Sequence, residues 1–481
     1  MNIKIIIRVS GLLMFVEGVA MLLALLVSII YNEPDKAGIA ISAAINIAIG
    51  ALVIFLTRNV SKDIGKREGF IIVSLVWILF AFLGSLPYIF TGAIPNLTDA
   101  FFETMSGFTT TGASVLNNIE SLPHGILFWR ALTHWLGGMG IIVLSLAILP
   151  VFGIGGMQLY IAEVPGPTPD KISPRIRQTA AAMWLVYVLL TLIQTLLLWV
   201  GKMPLFDAIC HAFATMATGG FSTKQASIAF WPSPYIQYVI ILFMFLAGTN
   251  FTLTYFVLRG KFKPLLKDEE FKYYGIFVLF FTLLIFAGLL KWGLGGVEES
   301  FRYALFWVVS IMTTTGFATV DYLLWPPVLV IILFAVFFIG GSAGSTGGGL
   351  KVMRIVMLFK NGYYELKRMV HPNAVIPLKF NKHVVDSRIM NNVLAFAVLY
   401  MIIFGLSTVI LMVVEPDLET AMGAVASSLG NIGPGLGKVG PMFSYSEVHP
   451  FGKWFLSFLM LLGRLELFTI LVIFSPAFWK E

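Results

Sequence analysis

Thr110-Thr111-Gly112, Thr218-Gly219-Gly220, Thr314-Thr315-Gly316 and Asn431-Ile432-Gly433 punctuate a chain of 481 residues. The intervals Gly112 to Gly219, Gly219 to Gly316 and Gly316 to Gly433 are 107, 97 and 117 residues. Each stretch follows a short segment, near 98–109, 206–217, 300–313 or 418–429, and lies between hydrophobic runs long enough to span a bilayer. A segment of roughly 10–14 residues cannot cross about 30 Å of hydrocarbon and reads as re-entrant. Four irregular turns are therefore placed at membrane depth, where such backbone survives only against protein or a water-filled path.

Composition agrees with a lipid-embedded chain: 58% of residues are apolar, 12% are charged and mean hydropathy is +0.89. Cys210 is the single cysteine, which excludes an intrachain disulfide and a cysteine-based zinc site. The first apolar run, Ile5 to Ile30, is too long for a signal-peptide core and is read as a membrane helix. Runs of spanning length lie near 5–31, 37–57, 70–90, 127–149, 179–200, 235–258, 271–291, 326–360, 389–414 and 451–475, an even number of crossings. The connections 58–69, 171–177, 259–272 and 354–388 carry 19 Lys and Arg, among them Arg58, Lys62, Lys66, Arg67, Arg175, Arg177, Lys261, Lys263, Lys367 and Arg368. Outside the short re-entrant segments, the opposite connections carry only Lys36, Lys202, Lys224, Lys291, Lys438 and Lys453. Basic loops stay inside, so both termini are expected in the cytoplasm. The net charge of +7 follows from this bias, and no soluble basic domain exists to suggest a nucleic-acid partner.

The glycine stretches then fall in outward-facing connections. The pattern predicts an all-α polytopic membrane protein of four pseudo-repeats, each an outer helix, a re-entrant pore helix, a filter loop and an inner helix. Two extra helices occupy 1–69, and the repeats occupy 70–170, 171–266, 267–385 and 386–481. Asp99, Asp207 and Glu419 open three of the short helices, where carboxylates suit the positive dipole end. The third helix has Glu298 and Glu299 earlier and Arg302 closer in. Helices entering from outside aim their negative C-terminal ends at the membrane centre, where a cation is stabilised. Glycine reaches positive φ without penalty and so can turn successive carbonyls toward an axis. The candidate filter residues are Thr110, Thr111, Gly112, Thr218, Gly219, Thr314, Thr315, Gly316, Asn431, Ile432 and Gly433. None is acidic, and a neutral oxygen lining favours a monovalent over a divalent cation.

The segments Thr109 to Ser114, Ala217 to Thr223, Thr313 to Thr319 and Gly430 to Gly437 resemble the four filter motifs of the TrkH/KtrB/HKT superfamily of potassium transporters. The resemblance covers essentially the whole chain, and the two extra N-terminal helices fit the TrkH branch. It implies a pseudo-fourfold pore in each protomer, K+ as the transported ion with no other cofactor, and a prokaryotic cytoplasmic-membrane location. It also implies a homodimer and a cytoplasmic TrkA-like nucleotide-binding ring as regulator. Ser114 stands where the family often has threonine. One filter glycine per repeat, against two in tetrameric potassium channels, implies preference for K+ rather than strict selectivity.

Gly340-Gly341-Ser342-Ala343-Gly344-Ser345-Thr346-Gly347-Gly348-Gly349 places six glycines in ten residues of an otherwise apolar run. At roughly 1 kcal/mol of helix propensity lost per glycine, it should break the span. The resemblance implies an intramembrane gating loop here; tight helix packing is the competing reading. Lys351 and Arg354 beyond it either steady the closed loop, meet the regulator or anchor topology. Arg464, inside the last run, should face a cavity or partner because burying its charge is costly. It reads as a barrier to cations beneath the filter, with a structural pair such as Glu466 as the alternative. Arg130 and His134, four apart, are expected to pair with re-entrant-helix residues such as Glu103. Glu17 is expected to link the extra helices, Asn250 to line the pore or bond another helix, and His211 to be a satisfied core residue. No Ser/His/Asp set, HExxH or paired carboxylates indicates an enzyme. Gated K+ conduction is the leading reading, and coupling of K+ to H+ or Na+ through Glu17, Glu103 or Glu466 is the alternative.

Overall fold

The computed structural model describes residues 1–59, 65–140, 176–374 and 376–480. The distal part of the expected span 127–149, and Lys62 and Arg175 of the basic loops, lie outside the described residues. Six of the expected spans are continuous apolar helices: Ile3–Tyr31, Lys36–Leu56, Arg67–Phe90, Ala181–Val200, Glu269–Lys291 and Ser387–Met412. These are the two extra helices and the four outer helices. Leu22, Leu26, Ile30, Leu52 and Leu196 are exposed, as lipid-facing side chains should be. The extra helices pack closely through small residues. A Cβ on Gly50 would lie 2.6 Å from the Phe15 backbone nitrogen, and one on Gly18 2.8 Å from Asn46. Without a hydrophobic drive inside lipid, such close backbone approach supplies the packing contact.

The inner helices differ from the straight spans the hydropathy implied. In the second repeat Pro234–Ala247 and Phe251–Leu258 meet at 111°, and in the fourth Pro450–Arg464 and Leu467–Phe474 meet at 112°. In the third, Pro327–Val336 ends and Val352–Val370 begins after an irregular stretch through the glycine run. The first inner helix is His124–Gly138. Such breaks are tolerated in a membrane protein where freed backbone groups find partners within the protein. The Asn250 side chain accepts from Thr252 N at 2.8 Å and so caps the second half-helix. At the fourth break Glu466 has φ 57 and ψ 144, a conformation close to glycine-only space. Arg354, 2.5 Å from its carboxylate, holds it there.

The pore helices are Leu97–Phe108, Leu205–Met216, Val297–Met312 and Leu418–Gly430. Asn96 and Asp417 cap the first and fourth through backbone N–H groups of Thr98 and Thr420. Asp99 also reaches Lys453 at 2.6 Å, joining the first pore helix to the last inner helix. A two-residue hairpin, Lys379–Phe380 with His383–Val384, is the one extended element among the described residues.

Candidate functional site

All four pore helices end in the same way. Thr110, Thr218, Thr314 and Asn431 adopt φ of 54, 55, 58 and 55, in the left-handed region. The next N–H reaches back to close the helix: Thr111 to Ser106 O (2.9 Å), Gly219 to Ala214 O (2.8 Å), Thr315 to Ser310 O (2.8 Å) and Ile432 to Ser427 O (2.9 Å). This is the Schellman arrangement, usually built on glycine or asparagine. Three threonines in it are outliers, since a β-branched residue at positive φ is strained by ~1–3 kcal/mol. Two residues further, Gly112, Gly220, Gly316 and Gly433 again have positive φ, of 82, 82, 77 and 104.

These glycines define the geometry of the site. A Cβ on Gly112 would lie 2.1 Å from Gly219 O, one on Gly220 2.1 Å from Thr315 O, one on Gly316 1.9 Å from Ile432 O and one on Gly433 2.8 Å from Thr111 O. Each repeat thus abuts the next, and the fourth returns to the first. The four segments close a ring, with one carbonyl per repeat (Thr111, Gly219, Thr315, Ile432) at the level of closest approach. The equivalent glycine in the second repeat is therefore Gly220, absent from the expected set, and the intervals become 108, 96 and 117 residues. Aligning the left-handed Thr or Asn, rather than the first glycine, reveals it from sequence.

Above the ring, a vestibule of about 80 Å³ is lined by all four glycines together with Ser114 and Tyr445. Buried contacts hold the segments from behind. Arg130 and Glu103 pair at 2.7 Å with almost no exposure. Glu103 also accepts from Val115 N (2.8 Å), and Arg130 donates to Ser222 O (2.8 Å), so one ion pair braces the first two filters. A buried pair with its remaining valences satisfied offsets its desolvation; breaking it does not. The expected partnership of His134 with Glu103 does not form: His134 is buried against Gly219. His211 meets Asp207 O and Ser222 Oγ, the satisfied core role. In the fourth repeat Ser427 Oγ and Tyr445 OH both donate to Gly433 O, at 2.6 and 2.9 Å.

Below the ring, the left-handed residues meet the glycine run. Thr314 Oγ1 accepts from Gly348 N at 2.7 Å, and Thr218 Oγ1 lies 3.4 Å from Thr346 Oγ1. Residues 340–349 are not helical. They are pinned by Gly340 N to Leu350 O (2.6 Å), Ser342 N to Gly248 O (2.9 Å) and Thr346 Oγ1 to Met216 O (3.0 Å). Lys351 Nζ donates to Gly347 O inside the loop. Glu270 Oε1 accepts from Ala343 N and Met353 N, at 2.8 and 3.1 Å, and ties the loop to the outer helix Glu269–Lys291.

Arg464 is the last residue of its helix, at the 112° bend rather than within a continuous span. Its guanidinium donates to Thr346 O (2.8 Å), Thr110 Oγ1 (3.1 Å), Gly137 O (2.5 Å) and Gly138 O (2.9 Å). It joins loop, filter and first inner helix, and beside it lies a cavity of about 80 Å³. The alternative pair with Glu466 is absent, because Glu466 belongs to Arg354. Glu17 is buried against Gly84 and pore-helix residue Thr104, and neither carboxylate oxygen meets a hydrogen-bond partner among the described residues. The expected link to the second extra helix is therefore not made.

Fold and geometry together define an all-α polytopic membrane protein with four pore-forming repeats about one axis. A family model described as a cation transport protein, TrkH, matches residues 35–481. The chain is 45% identical to the Trk system potassium uptake protein TrkH of Escherichia coli (strain K12) and 44% identical to that of Salmonella typhimurium, over 100% of each chain. The crystal structure of the potassium transporter TrkH from Vibrio parahaemolyticus superposes with a TM-score of 0.90 at 39% identity, covering 100% of both chains. The chain belongs to the TrkH family of cation transport proteins.

Proposed function

We propose that this chain is the ion-conducting subunit of a potassium uptake system in a prokaryotic cytoplasmic membrane, and not an enzyme. The observation that carries the reading is the closed ring, in which each filter glycine lies against the neighbouring repeat's carbonyl. A monovalent cation leaving water exchanges hydration oxygens for carbonyls of Thr111, Gly219, Thr315 and Ile432, supplemented by those of the flanking residues. The uncharged lining holds the ion weakly enough to release it. The negative ends of four pore helices lower the potential along the axis.

The run Gly340 to Gly349 acts as the gate. It meets the left-handed residues of the second and third filters through side-chain and backbone contacts that a small displacement would break. Arg464 adds a positive charge beneath the ring and ties the loop shut. A homodimer and a cytoplasmic TrkA-like nucleotide-binding ring complete the assembly. Exposed Phe359, Leu366 and Met369 on the helix Val352–Val370, which leads directly from the loop, offer such partners a handle on the gate.

Coupling to H+ or Na+ is the second reading. Glu103 and Glu466 are committed to Arg130 and Arg354, which favours conduction without coupling. Purified protein in proteoliposomes should carry K+ and Rb+ in preference to Na+ and Li+. Its current should reverse where the K+ gradient alone dictates. Absence of flux would defeat the proposal, and a reversal that moves with pH or Na+ would favour coupling.

A further inference from the structure

In the first and third filters the residues flanking the left-handed threonine brace each other: Thr109 Oγ1 to Thr111 Oγ1 at 2.8 Å, and Thr313 Oγ1 to Thr315 Oγ1 at 2.7 Å. In the second filter both hydroxyls are missing, because Ala217 and Gly219 occupy these places. The space behind Gly219 is nonetheless full. A Cβ built there would lie 1.6 Å from His134 Nδ1 and 2.3 Å from its Cε1. The ring comes from the inner helix of the preceding repeat, is fully buried, and stands edge-on to Phe221 with centroids 4.0 Å apart. Phe221 is covered on its other contact by the Arg130 guanidinium, 3.5 Å from the ring centroid.

The position of His134 in the fold has a counterpart. His134 precedes Gly137 by three residues, as Met460 precedes Gly463, and these glycines press on the carbonyls of Phe108 and Leu429, the corresponding residues of their pore helices. His134 also precedes Gly138 by four, as Met244 precedes Gly248, and those glycines pack on Ala217 and Thr313, again corresponding residues. Methionine occupies the matching sequence position in the second and fourth repeats. An imidazole stands in the first, beside the filter whose flanking residues are Ala217 and Gly219. Neither ring nitrogen has a hydrogen-bond partner among the described residues, so the ring acts by occupying volume.

We infer that His134 is the specificity-positioning residue of the second filter: its ring takes the place of the missing side chains and sets the position of the Gly219 carbonyl. A Gly-Gly segment without a hydroxyl brace is the softest of the four. Close-packed interiors resist displacement. Without the ring behind it, the Gly219 carbonyl would follow a smaller ion inward and Na+ would be admitted more readily. The inference rests on the filter reading above.

The test is a substitution cycle read as the ratio of Rb+ to Na+ flux in proteoliposomes, a ratio independent of how much protein is active. His134→Ala should lower the ratio by more than about threefold, the scale of coupling between contacting residues. Ala217→Thr with Gly219→Thr, in the presence of His134, has no room and should abolish flux. All three changes together rebuild the hydroxyl pair of the first and third filters; Thr313 already fits against Gly248 in the same relation. That triple variant should return the ratio to within about twofold of native, a recovery that double-mutant logic assigns to direct coupling. His134→Met, of similar volume, should also retain it. A native ratio in His134→Ala, or a triple variant no better than its parents, overturns the inference. If His134→Ala does not fold, the triple variant and His134→Met decide in the same way. Gly316→Ala separates the two layers. Insensitivity there defeats the filter itself, whereas sensitivity there with an insensitive His134 defeats only this inference.

Discussion

Replacing Arg464 by alanine removes the group that holds the glycine run against the filter. Among the hydrogen bonds its guanidinium makes to described residues, that to Thr346 O at 2.8 Å belongs to the loop. The others bind Thr110, Gly137 and Gly138, all in the first repeat. A hydrogen bond to a charged group contributes about 1.5–3 kcal/mol net. The abandoned acceptors Thr346 and Gly138 border the cavity beneath the ring, where water can reach them, so the loss approximates this net figure. On the gating reading proposed above, the contact to Thr346 O is the one of these that differs between a seated and a displaced loop, and it biases the equilibrium. On that basis Arg464→Ala shifts the equilibrium toward the displaced loop by roughly 10- to 150-fold, provided the native protein rests closed. Removal of the positive charge from the ion path acts in the same direction. Initial rates of 86Rb+ uptake into proteoliposomes, normalised to monodisperse protein, measure the effect. An unchanged or lower rate from a folded Arg464→Ala variant would refute the latch, and a purely unstable variant would return Arg464 to a structural role.

Gly316→Ala drives a methyl group to within 1.9 Å of Ile432 O and should erase K+ preference in ion-competition flux, since the carbonyl it displaces belongs to the ring. Glu103→Gln leaves Arg130 buried without its counter-charge and should destabilise the protein by ~3–5 kcal/mol, seen as a lower unfolding midpoint in detergent. Exchanging both residues of that pair for methionine should cost less than the single change. Glu270→Ala frees the amides of Ala343 and Met353 beside a cavity of about 400 Å³ and should raise flux, by roughly 10- to 150-fold for the one contact within the loop, with no change of ion preference.

Long apolar runs and short re-entrant ones are separated by length alone, so the extra helices, outer helices and pore helices were legible in the sequence. So was the break at Gly340 to Gly349, where glycine density overrides hydropathy. The bends near Gly248 and Arg464 were not legible. Their flanks are as apolar as any straight span, and the bends are fixed by contacts that hydropathy does not register, the local cap of Thr252 N by Asn250 and the distant pairing of Arg354 with Glu466. Gly220 escaped for a different reason. In Thr218-Gly219-Gly220 two glycines compete, and only the left-handed threonine fixes which one faces the neighbouring repeat. Arg464 was identifiable as a costly buried charge, but its acceptors come from residues more than three hundred positions away and from the glycine loop. The partners of Arg130, which lie across a repeat boundary, were half readable: Glu103 was expected, Ser222 was not.

The carbonyl ring can be tested most directly by locating an ion in it. Crystals grown or soaked in Rb+ and measured at its absorption edge should show an anomalous peak on the pore axis, at the level of the Thr111, Gly219, Thr315 and Ile432 carbonyls. A peak there that weakens in K+ competition supports a filter made by all four repeats. Anomalous density confined to other parts of the molecule, with none at that ring, would contradict it.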